Sequence, residues 1–231
     1  MTLRTNARVA GYTFLLYIVF GISGLIVSGR ASSGVGAAAK LASIAQHAAG
    51  MRVVAVLAVL TGFSAVILGV TLYAITRDED PDIAMLALIC RVIEGVTNSL
   101  SMQHALTLVW LATATGATAP DAETARALGA YLVYSPGAAG CALFFSVGST
   151  LFSWLLLRGR MIPAALAWLG VLSSGLVVVL IPLQLLGLLS ATNWNGLVTW
   201  LTWVPLLVFE LTFAGWLIVK GVAAPRTLQR L

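Results

Sequence analysis

Leu88-Ile89-Cys90-Arg91-Val92-Ile93-Glu94-Gly95-Val96-Thr97-Asn98-Ser99-Leu100 sets an arginine, a glutamate and an asparagine inside an apolar run long enough to cross a bilayer. Charged side chains at membrane depth cost roughly 2.5–3.5 kcal/mol each on insertion scales, so they face protein or a cavity and not lipid. Arg91 and Glu94 are three residues apart and share one helix face. Glu210 is the other acidic residue placed deep in an apolar run.

The surrounding composition fixes the class of protein. Of 231 residues, 60% are hydrophobic and 9% are charged, against about a quarter charged in a soluble domain. Mean hydropathy is +0.99. These values describe an all-α, multi-pass membrane protein, and the length suits a bundle of six helices with short loops. The formal charge of +5 comes from basic residues near helix ends. Such a distribution sets topology and lipid contact; nucleic-acid binding would need a basic face or an aromatic platform, and neither is present.

Six spans follow from the hydrophobic runs, at about 9–28, 52–76, 83–114, 124–157, 162–188 and 196–219, in a single integral-membrane domain. Arg4 and Arg8 precede a first run of full span length, which reads as an anchored helix and not as a cleaved signal. Between the first two spans, Ala37 to His47 is amphipathic, with Leu41, Ile44 and Ala48 on one side, as in a short helix lying at the membrane interface. Arg77-Asp78-Glu79-Asp80-Pro81-Asp82 is a polar turn in which Asp80 and Pro81 signal a helix start. Six residues lack the ligand spacing of a calcium loop. Pro120 and Asp121 give a second such start. Ser135-Pro136-Gly137 and Gly140 mark a kink or opening in the fourth span, and Pro205 a break in the sixth. Gly140, Ser146, Gly148 and Ser149 are small enough to admit a neighbouring helix.

Counting Lys and Arg loop by loop gives the orientation. Arg4, Arg8, Arg77, Arg158, Arg160, Lys220, Arg226 and Arg230 fall on one side; Arg30, Lys40, Arg52 and Arg126 fall on the other. The positive-inside rule then puts both termini in the cytoplasm.

At ~1.5 Å per residue, Arg91 lies ~12 Å, Glu94 ~16 Å and Asn98 ~22 Å along the third span, and Glu210 ~15 Å from Lys220 along the sixth. The third and sixth spans should therefore adjoin, with Arg91 paired to Glu210 or shared with Glu94. Arg91, Glu94, Glu210 and Asn98 form a ligand-binding group or a structural ion pair. With all three charges present the group carries one surplus negative charge, which calls for a proton or a cation. Cys90 and Cys141 lie in apolar runs and read as packing. His47 and His104 are the only histidines, and without acidic or thiol partners at ligand spacing two imidazoles fall short of a haem or metal site. No cofactor is expected. No nucleophile–base pair, zinc-protease, P-loop or dinucleotide motif occurs.

Arg91-Val92-Ile93-Glu94, Leu143-Phe144-Phe145-Ser146-Val147-Gly148-Ser149 before Leu155-Leu156-Leu157-Arg158, and Phe209-Glu210 through Trp216-Leu217-Ile218-Val219-Lys220-Gly221 resemble the bacterial multi-pass family catalogued as domain of unknown function 4386. Arg8-Val9-Ala10-Gly11-Tyr12 through Phe20-Gly21 is similar too. The resemblance implies a six-helix inner-membrane protein with Arg-x-x-Glu in the third helix and Glu in the last, on Arg91, Glu94 and Glu210. The family pattern has Gly where this chain has Ser146. It supplies an architecture and no mechanism.

Three functions remain open: binding of a small molecule, lipid or ion at the charged cluster in a transporter or sensor; an accessory or assembly subunit of a larger membrane complex; or a membrane redox protein or enzyme using His104. The partners expected are membrane lipids and other membrane subunits. Single cysteines introduced at Ser190 and at Arg226 test the topology. In intact cells S190C should react with an impermeant maleimide and R226C only after permeabilisation, and equal reaction from one side contradicts six spans.

Overall fold

The computed structural model describes residues 2–134, 139–189 and 197–225. Among these residues there is no strand. The helices are α1 (Leu3–Ala31), α2 (Ala37–Gln46), α3 (Ala48–Thr76), α4 (Pro81–Thr113), α5 (Ala122–Tyr134), α6 (Ala139–Arg158), α7 (Ala164–Leu185) and α8 (Leu197–Val219), with a 3-10 turn at Gly116–Thr118. In six of them, α1, α3, α4, α6, α7 and α8, a stretch is long and apolar enough to cross a membrane. Along α3, α6 and α7 the apolar residues run round the whole circumference, as expected where lipid covers what protein does not.

Several helix boundaries differ from the sequence reading. α1 begins at Leu3, six residues earlier than the predicted span, because Asn6, Ala7 and Ala10 are buried and hold its first turns against the protein. The predicted fourth span, 124–157, is two helices, α5 and α6. The kink assigned to Ser135-Pro136-Gly137 itself lies outside the described residues. α8, by contrast, continues through Pro205, where a break was expected. Only one helical hydrogen bond is forfeited there, the one that the Leu201 carbonyl would accept.

Both predicted helix starts are capped. Asp80 accepts the Ile83 amide at 3.2 Å and Pro81 is the first residue of α4. Asp121 accepts the amides of Thr124 at 2.9 Å and Glu123 at 3.0 Å, and the Thr124 hydroxyl at 2.7 Å. Between α6 and α7 the amide of Met161 donates to the Leu156 carbonyl and that of Arg160 to Leu157, the Schellman closure that glycine normally provides. Here Arg160 takes the left-handed position, at φ 53°, which costs a non-glycine residue roughly 1–2 kcal/mol. Gly221, at φ 75°, ends α8, and the Ala223 amide donates to the Met161 carbonyl at 2.9 Å.

The chain forms two units. The first comprises Met1–Leu16, Ser64–Gly95 and Ala139–Leu231; the second comprises Tyr17–Phe63 and Val96–Ala138. α1, α3 and α4 contribute to both. In the first unit α7 packs against α6 and α8, and glycines set the approach. A Cβ on Gly170 would lie 2.6 Å from the Phe209 ring and from Ser153 Oγ; one on Gly11 would meet Ile218 at 2.6 Å. Phe213 stacks on Phe209, with ring centroids 5.3 Å apart, and meets Phe14 edge-on at 5.6 Å. In the second unit α2 packs on α5, where Leu41 covers Gly129, and Ile44 enters a core with Ala31, Met51, Ala55, Ala105, Leu108 and Val109.

Hydrogen bonds from Thr124, its amide before its hydroxyl, hold the Asp121 carboxyl below its ordinary value of 3.8. A depressed carboxylate stabilises the fold above that value and loses the contribution as pH falls through the lowered one. Amide exchange in the first turn of α5 should accelerate as the protein is acidified below pH 3.8, after correction for intrinsic rates. In D121N that acceleration should be absent.

Candidate functional site

Arg91 is the largest side chain in the described structure that is fully buried, at 1% exposure, and Glu94 beside it is at 0%. Their spacing on α4 is what brings them together: Nη1 of Arg91 is 2.8 Å from Oε2 of Glu94. A guanidinium buried among apolar helices needs both charge and shape around it. Gly69 on α3 and Gly148 on α6 supply the shape. A Cβ on Gly69 would lie 2.9 Å from the Cβ of Arg91, and one on Gly148 would lie 3.2 Å from its Cγ and Cδ. The arginine stem thus runs between two helices that approach it with bare backbone. At its far end the guanidinium carbon sits 5.2 Å from the centroid of the Phe145 ring, within cation–π range.

Glu210 on α8 completes the cluster. It is 7% exposed, and its carboxylate is attracted by the charge of Arg91 and repelled by that of Glu94. Oε1 of Glu210 has no hydrogen-bond partner among the described residues. Of the two pairings expected, the direct contact is with Glu94, and Glu210 acts through the electrostatic field. A cavity of about 10 Å³ beside Arg91 is lined also by Ser149 and Ser153 of α6 and by Phe209 and Phe213 of α8, and by neither carboxylate of the cluster. That volume is about one water molecule.

Asn98, the fourth residue of the expected group, is also on α4. It belongs to the second unit and is partly buried. His47 is exposed, its Nδ1 2.9 Å from the Ser43 carbonyl oxygen, and His104 is partly buried. Among the described residues no group of three or more His, Cys, Asp or Glu side chains could hold a metal ion. Cys90 and Cys141 are free thiols, and Sγ of Cys141 lies 3.9 Å from the Glu94 carbonyl oxygen. Ser146, where glycine was expected from the family pattern, is fully buried and folds its hydroxyl back onto the Leu143 carbonyl at 2.9 Å. The hydroxyl is thereby satisfied within its own helix.

Sequence reasoning did not anticipate Gly69, Phe145 or the second ionic group of this unit. Nε of Arg158 lies 3.4 Å from Oε1 of Glu79, and its Nη1 donates to Oδ2 of Asp80 at 3.0 Å. Glu79 is 8% exposed, and its Oε2 would be 3.3 Å from a Cβ placed on Gly159. The polar turn before α4 is therefore fastened to the end of α6. Arg158 gave a signal in its charge at a helix end, but nothing in the sequence names its partners.

Two sets of variants measure these contributions by thermal denaturation in detergent. Gly69→Ala, where the new methyl group meets the unyielding start of the Arg91 side chain, should cost ~1–3 kcal/mol, and Gly148→Ala less. Arg91→Met should cost ~3–5 kcal/mol, since it strands a buried carboxylate, and markedly less in a Glu94→Gln background. Additivity of Arg91→Met and Glu94→Gln would contradict the pairing.

Comparison with known proteins gives one result. Neither the curated proteins nor the solved structures contain a match to the chain. A family model, however, matches residues 9–221, the length over which the six apolar helices and the buried cluster are built. The chain belongs to the family described as domain of unknown function DUF4386.

Proposed function

We propose that this chain is a multi-pass protein of the bacterial inner membrane, with both termini in the cytoplasm and α2 lying at the opposite interface. In this reading Arg91, Glu94 and Glu210 hold a proton or a small monovalent cation, and the protein works as an ion-coupled transporter or sensor. The distribution of Lys and Arg between alternate loops supports the orientation.

One observation carries the site. Two carboxylates and one guanidinium are buried together, at exposures of 0%, 7% and 1%, in helices apolar enough to span a membrane. Arginine stays protonated in proteins, so ionisation of both acids leaves one uncompensated negative charge in a medium of low dielectric. A proton or a monovalent cation balances it. The cavity beside Arg91, at about 10 Å³, has room for about one water molecule and none for a metabolite, whose sites span about 300–1,000 Å³. Among the ligands open at the outset, the geometry favours the smallest.

Thermal stability of the purified protein, scanned in choline, lithium, sodium and potassium chloride at several pH values, tests this reading. The wild-type midpoint should respond to pH or to one of the alkali cations. E210Q removes the surplus charge at nearly constant volume, so it should fold and lose that response. An unresponsive wild type, or an equal response in E210Q, overturns the proposal and leaves an ion pair that holds helices together, as an assembly subunit would need.

A further inference from the structure

A second concavity, independent of the buried cluster, opens at the end of the first unit where α6 turns into α7 and α8 ends. It is a shallow, open groove of about 490 Å³, lined by Arg160, Met161, Ile162, Pro163, Trp216 and Lys220, among others. Four features give it a chemistry. Arg160 and Lys220 are both exposed, and no acidic residue is among its lining. Pro163 is the N-cap of α7 and makes no side-chain cap bond, so the positive end of that helix dipole faces the same region. Trp216 is half-buried one turn before Lys220, the arrangement of an aromatic ring at the polar boundary of a bilayer with a cation beyond it. Met161 and Ile162 are buried and give the groove an apolar floor.

Arg160 adds a further observation. It occupies, at φ 53°, the left-handed position of a helix-ending turn in which Gly159 stands immediately before it. Glycine would fill that position without strain. A side chain kept against backbone preference points to a use for the side chain. The Ala223 amide, bonded to the Met161 carbonyl at 2.9 Å, fixes the segment after α8 against the same turn, so both walls of the groove are held.

We infer that this groove binds the phosphate headgroup of an anionic phospholipid, with Arg160 and Lys220 as the phosphate ligands and the acyl chains leaving over Met161, Ile162 and Trp216. Cationic side chains at the boundary of a membrane span attract anionic lipid. An apolar floor beside them suits a molecule that is charged at one end and hydrocarbon at the other. A soluble phosphate would use the cations and gain nothing from the floor.

Native mass spectrometry of the full chain, released from mixed micelles containing phosphatidylglycerol and phosphatidylcholine at equal concentration, tests the site. Wild type should retain phosphatidylglycerol at least fivefold over phosphatidylcholine. R160A/K220A should lose that preference, while R160K/K220R keeps it. R4A/R77A removes the same charge from exposed residues at other helix ends and should leave it unchanged. Added inorganic phosphate or glycerol phosphate should not displace the lipid. Equal retention of the two lipids by wild type, an equal loss in R4A/R77A, or full displacement by inorganic phosphate would each overturn the assignment. These results do not depend on Glu94 or Glu210, so either ligand site can fail alone.

Discussion

The guanidinium of Arg91 is the constraint from which the rest of the first unit follows. A fixed positive charge in a helix that water cannot reach must be met by negative charge, by an aromatic face and by close packing, all at once. Glu94 meets it directly at 2.8 Å, Phe145 lies across its far end, and Glu210 acts from α8. Two neighbouring helices come near enough to enclose it only because Gly69 and Gly148 face it with hydrogen atoms. In this unit the positions of α3, α6 and α8 are thus set by one side chain of α4.

That arrangement explains which parts of the molecule could be read in advance. Arg91, Glu94 and Glu210 stand out because they are charges in apolar runs, where a single residue is conspicuous. Asp80 and Asp121 were legible for a different reason: a cap acts on the three residues that follow it, so the signal is local. Gly69 was illegible among 22 glycines, since what distinguishes it is the tertiary neighbour it makes room for. Arg158 likewise announces a charge at a helix end without naming Glu79 and Asp80, which the fold brings to it from the turn that precedes α4. Pro205 misled in the opposite direction. Proline carries a break signal on its own, but a helix held along its length by packing keeps its course when one bond is lost.

The second unit owes its order to shape more than to charge. α2 and α5 meet where Leu41 fits over Gly129, and Ile44 is fully buried in the apolar core beside them. Lys40 sits 5.1 Å from the centroid of the Tyr134 ring, so even the basic residue of α2 is engaged by the helix it packs on. Amphipathicity in α2, read from the sequence as a sign of the membrane interface, is used at least in part against α5. A helix of ten residues has too few internal bonds to persist unaided, and this contact is what gives it a defined place.

The two glycines beside Arg91 have a consequence for how such a protein can change over time. Each flank of the arginine is already filled by its neighbour's backbone, so three positions on three separate helices form a single heritable unit. A larger residue at either glycine demands a shorter one at 91, and a shorter one leaves Glu94 and Glu210 without their cation. Drift at these sites therefore has to proceed in concert or not at all, whereas Val70 and Val92, apolar and exposed one position away from Gly69 and Arg91, are free to exchange one hydrocarbon for another.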